Sequence, residues 1–186
     1  MVKAYNYGTI VMQQSSESSH ALELIANGFL KYADSARIQE LEAELKSSFD
    51  IYDTDNFRIV HVDAEELAEF SFDFFLPSLN EILAKRKFNL LVNKLNTDDN
   101  LFDILLNGSI VTLYNEEDLR SWNFWDVASR NFFKELNKQL VAKGVDEQFC
   151  LFYGGNDLHA MLLTDKQYSL IADYYRNVPK EAPYKP

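Results

Sequence analysis

The spacing of apolar positions changes several times along the chain, and each change marks an element. Residues 5–12 are rich in Tyr, Ile and Val and predict a strand. The polar run 13–19 predicts a loop that ends in a helix cap. Apolar residues then stand at 21, 22, 24, 25, 29 and 32, the spacing of one helix face. Residues 35–46 predict a second helical segment, with Ile38, Leu41 and Leu45 on one stripe and Glu40, Glu42 and Glu44 largely off it. Residues 49–52 and 57–62 read as a hairpin across Asp53-Thr54-Asp55-Asn56, because Asp and Asn bond their own backbone in turns. Asp63 is placed to cap a short helix through Glu69. Pro77 is placed to open a helix running to Lys87, with Leu79, Ile82 and Leu83 inward.

Residues 88–92 read as a short strand. Residues 100–107 carry two signals. Leu101, Ile104 and Leu105 have helical spacing with Gly108 as a stop, while Asn107-Gly108 is a strong hairpin turn before residues 109–114; the helix is slightly favoured. Residues 116–143 predict one long helix. Glu116, Glu117 and Asp118 lie at its positive end, Lys138 and Lys143 near its negative end, and Gly144 follows. Leu119, Trp122, Val127, Phe133, Leu136 and Leu140 are its expected buried face, and the aromatic run 124–133 reads as core. Residues 148–153 and 158–164 predict a hairpin turning through residues 154–157, and residues 165–175 a last helix. The mixture lacks a regular βαβ rhythm, so the expected fold is α+β, with antiparallel hairpins packed against several helices. One domain over residues 1–176 is expected. Residues 177–186 hold three of the four prolines and read as an extended tail.

A chain of 186 residues with 47% hydrophobic and 14% aromatic residues can bury a core without disulfides or metals. The one cysteine, Cys150, has no internal disulfide partner, and no apolar segment approaches membrane-spanning length. With no secretory leader evident at the N-terminus, these features predict a cytoplasmic protein with no membrane partner. The net charge of −11 argues against direct nucleic-acid binding, which depends on Lys and Arg.

Conventional catalytic motifs are missing. Cys150 sits in an apolar strand, where packing explains it. Gly154-Gly155 lacks a phosphate-loop pattern. His61-Val62-Asp63 and Asp157-Leu158-His159 could together offer two nitrogens and two oxygens to a metal, but turn and cap roles explain both aspartates. The expectation is no cofactor, no metal and no enzymatic activity.

Charge distribution changes the picture most. Residues 40–81 hold twelve acids and two bases, ten of the eleven net negative charges. A surface of that kind steers a basic protein partner. In being small, acidic, α+β and free of catalytic motifs, the chain resembles bacterial immunity proteins, which block a toxin domain by covering it. That resemblance implies tight one-to-one binding of a basic toxin domain, such as a nuclease whose phosphate substrate the acids would mimic. The expected contacts are Asp53, Asp55, Glu65, Glu66 and Glu69. Two other classes stay open: a small enzyme using His61, His159 and nearby carboxylates, and a regulatory domain whose partner is not basic.

Overall fold

Residues 149–152 and 160–163 are uninterrupted apolar runs, which suits strands buried on both faces. A computed structural model, which describes residues 18–95 and 102–186, places them in the middle of an α+β fold. Strands β1 (Ile59–His61), β5 (Gln148–Phe152) and β6 (His159–Leu163) form an antiparallel sheet in the order β1-β6-β5. Its register sets Ile59 opposite Met161, His61 opposite His159 and Leu151 opposite Ala160.

Because side chains alternate across a strand, this sheet separates two core clusters. Val60, Phe149, Leu151, Ala160 and Leu162 point to one side, where α3 (Ala64–Ala68), α4 (Leu76–Ala84) and α6 (Phe124–Ala142) supply Leu67, Leu79, Leu83, Phe132, Phe133 and Leu136. Ile59, Cys150, Phe152, Met161 and Leu163 point to the other. There a helix over residues 18–26 (α1), α2 (Ile38–Ser48) and α7 (Asp165–Tyr174) contribute Leu24, Leu41, Leu45, Leu170 and Ile171.

A second antiparallel sheet, in the order β2-β3-β4, joins β2 (Val92–Lys94), β3 (Phe102–Leu106) and β4 (Ser109–Tyr114). Ile104, Leu106, Val111 and Leu113 belong to the core cluster that includes α6. On the opposite face Ile110 remains 68% exposed. The favoured helix over 100–107 is therefore corrected: residues 102–106 are strand and Asn107 begins the turn. Asn107 and Gly108 both have positive φ, 51° and 87°, as the tight hairpin turn demands. Pairing with β4 and burial of alternate residues override the local helical spacing.

Other expectations are corrected by tertiary contacts. Residues 49–52 form no strand; β1 pairs with β6, and residues 54–56 are a 3-10 turn. Of residues 88–92 only Val92 is in a strand. The long helix of residues 116–143 is two helices, α5 (Glu116–Arg120) and α6. Asn115 and Asp118 form a reciprocal cap at the start of α5. Trp122, at φ 56°, ends it and is 76% exposed instead of buried. Helix α3 follows its expected cap, Asp63, which accepts hydrogen bonds from the backbone N–H groups of Glu65 and Glu66. The strand expected over 5–12 lies outside the described residues.

The expected extended tail is corrected in part: residues 179–181 form a turn, closed by the Glu181 N–H on the Val178 carbonyl at 2.9 Å, and the segment docks on the sheet around Tyr184. Leu151 and Tyr184 exchange backbone hydrogen bonds of 2.8 Å in both directions, covering the outer edge of β5. The Tyr184 hydroxyl donates to the Tyr153 carbonyl at 2.8 Å, and Lys185 pairs with Asp165 at 2.9 Å.

Beneath the end of the β1-β6-β5 sheet lies a charged network that sequence spacing did not disclose. Arg58, Arg86 and Glu147 are all buried. Glu147 accepts from Arg86 at 2.7 and 3.2 Å and is also bonded by Arg58. The remaining guanidinium N–H groups find carbonyls: Arg58 reaches Gly28, Phe29 and Leu162, and Arg86 reaches Phe57 and Ile82. The Arg86 guanidinium also lies 3.9 Å from the centre of the Tyr32 ring. Burial pushes the Glu147 carboxyl up, but the two arginines outweigh it and hold the group below its ordinary range.

Candidate functional site

The two histidines of the doubly covered sheet meet where β1 ends and β6 begins. His61 is exposed and His159 half-buried. They are cross-strand partners, and their ring centres are 4.9 Å apart with the planes tilted by 34°. Each ring bonds the turn between β5 and β6. His61 Nε2 donates to the Asn156 carbonyl at 2.6 Å, and His159 Nδ1 donates to the Asp157 carbonyl at 2.8 Å. A carbonyl oxygen can only accept, so both tautomers are fixed by the turn. Burial pulls the His159 imidazole below its ordinary range; the bond to Asp157 opposes this, and neighbouring His61 reinforces it.

Aromatic rings wall the pair. Phe74 meets His61 edge-on at 5.5 Å and is itself 54% exposed. Tyr52 and Tyr153 each lie 6.2 Å from His159. Their hydroxyls are 3.1 Å apart, and Tyr153 in turn donates to Glu181 of the docked C-terminal segment. Burial, followed by the hydrogen bond to Tyr153, raises the Tyr52 hydroxyl well above its ordinary value, so it stays protonated.

Beside His61 and Phe74 opens a groove of about 390 Å³. Asp55, Glu81, Ser78 and Thr54 supply its polar lining, and Phe57, Ile59 and Ile82 part of its apolar lining. Helix α3 packs against the β5–β6 turn that both histidines bond. The groove and the histidine pair are thus built by residues from the 3-10 turn, β1, β6, the segment around Phe74, and α4.

The five expected contact residues fall into two groups. Asp53 and Asp55 converge on Arg37, which also bonds Glu40. Asp53 additionally accepts the Asp55 backbone N–H at 2.8 Å. Glu65 and Glu66 stand half-buried in the first turn of α3, and Glu69 is exposed at its end. Among the described residues no Lys or Arg forms an ion pair with Glu65, Glu66 or Glu69. Arg37 lies just before the acidic stretch, which is why a count over residues 40–81 misses it. His61 and His159 were visible as candidates; Phe74 and Glu81 were not, since nothing local marks which residues of a helical segment border a groove.

The four-donor metal site does not form. Asp63 is occupied in capping α3, and among the described residues no group of three or more His, Cys, Asp or Glu is placed to hold a metal. Cys150 is buried, and burial pushes its thiol up to about 12, which opposes a thiolate nucleophile. Among the described residues no helix is long and apolar enough to cross a membrane. Comparison with protein-family models, curated proteins and solved structures finds no match.

Proposed function

We propose that this chain is a binding protein, an inhibitor of the immunity type that neutralises a basic toxin domain in the cytoplasm by covering it. The observation that carries the reading is the exposed Phe74 ring at a groove lined by Asp55 and Glu81, in the most acidic stretch of the chain. Aromatic residues, Phe among them, are enriched at interface cores, and polar groups occupy the rim. The ion pairs of Arg37 hold Asp53 and Asp55 in place, so little side-chain freedom is lost when they meet a cation. Glu65, Glu66 and Glu69 extend the negative field along α3 and would speed encounter with a basic surface. For a nuclease partner, the same carboxylates would occupy the positions of phosphates.

The test uses the partner captured from source lysate and measures association and dissociation at low and high salt. Glu65→Lys with Glu66→Lys is compared with Asp146→Lys combined with Glu117→Lys, two exposed acids outside the stretch. The first pair is expected to slow association and flatten its salt dependence. Phe74→Ala is expected to weaken binding more than about tenfold, chiefly by faster dissociation. Equal affinities and equal salt slopes for the two double variants would reduce the acidic stretch to a solubilising face.

A further inference from the structure

The strand register places the two histidines more closely than ordinary cross-strand neighbours. Val62 N–H donates to the Leu158 carbonyl at 2.9 Å, so Val62 and Leu158 are a hydrogen-bonded pair. Pairs alternate along an antiparallel ladder, which makes His61 and His159 a non-hydrogen-bonded pair, the type whose side chains approach most closely. Both rings already spend one N–H on a backbone carbonyl. In the neutral imidazoles the lone pairs are therefore on His61 Nδ1 and His159 Nε2. A carbonyl that fixes the opposite N–H is the outer support usual for metal-ligating histidines.

We propose that His61 and His159 form an open, two-nitrogen site for a divalent transition-metal ion such as Zn(II). With each nitrogen about 2.0–2.1 Å from a tetrahedral ion, two imidazole centres lie on the order of 5 Å apart; the observed separation is 4.9 Å. Imidazole donors suit zinc, copper and nickel, whereas calcium and magnesium require oxygen donors. The absence of a third protein donor among the described residues leaves positions open to water or to a donor from a docked molecule. The site does not depend on the inhibitor reading.

The three histidines make the test specific. Zn(II) is titrated into the full chain while the imidazole carbon-bound protons are followed by NMR. His61 and His159 are expected to shift together with one binding curve, while His20 stays in place. His61→Asn and His159→Asn should each weaken that curve at least about tenfold, the lower range seen for disturbing even the outer support of a metal site; His20→Asn should leave it unchanged. Movement of only one of the paired rings, equal movement of His20, or no movement at millimolar zinc would overturn the proposal. Because the unaltered chain gives the decisive reading, loss of folding in a variant does not obscure it.

Discussion

The β1-β6-β5 sheet is covered on both faces, and the β2-β3-β4 sheet on one. Both are antiparallel and three-stranded, yet their sequences differ accordingly. β5 and β6 are apolar at nearly every position, with Cys150 and Met161 as buried as Phe149 and Leu162. In the other hairpin Val111 is buried while Ile110 and Thr112 beside it are exposed. The candidate groups sit at the end of the doubly covered sheet, where core on both sides holds the strands that carry His61 and His159. A position-sensitive site gains from such support, because its side chains are held on rigid elements.

The largest expected effect comes from the buried charges under that sheet. Glu147→Ala leaves Arg58 and Arg86 without their shared carboxylate and should cost about 3–5 kcal/mol, read by urea denaturation. The pH dependence has a definite sign. The two arginines hold Glu147 below the ordinary carboxyl range, so its stabilisation is full above that range and falls away as the carboxyl protonates in more acidic solution. Glu147→Gln should remove this part of the acid-induced loss.

Next in size is a direct comparison of the sheets. Leu162→Ala, in the doubly covered one, should destabilise by about 2–5 kcal/mol. Ile110→Ala, on the open face of the other, should change stability by no more than about 0.5 kcal/mol. Similar losses at both positions would mean that the open face is covered in solution. The smallest effect tests the backbone. Lys87 is exposed at φ 57°, so Lys87→Gly should relieve left-handed strain and stabilise by up to about 1 kcal/mol, seen as a higher denaturation midpoint.

That backbone pattern explains much of what local reading missed. The chain has six glycines, and helices or turns end on left-handed residues of other types: Phe49, Phe57, Phe70, Lys87 and Trp122. Breaks normally announced by glycine were therefore silent, above all at Trp122, where one long helix was expected. Where punctuation was explicit, the reading held. Asp63 caps α3, the 154–157 turn joins β5 to β6, and α7 follows Thr164, whose side chain accepts from the Gln167 N–H. Of the site, the histidines and the acids were legible as residue types. Their grouping was not, since His61 and His159 are brought together by strand pairing across nearly one hundred positions.

By itself, then, the sequence determined the α+β class, the second hairpin, the buried Cys150 and the concentration of acids in residues 40–81, because each rests on local periodicity, turn chemistry or composition. Tertiary structure alone decided that β1 joins β6, that residues 102–106 are strand, that Arg37 gathers Asp53 and Asp55, and that Arg58, Arg86 and Glu147 share one buried site. Each of these depends on partners distant in the chain. The free energy that fixes them, whether ladder hydrogen bonds, burial or charge pairing, exists only once those partners meet.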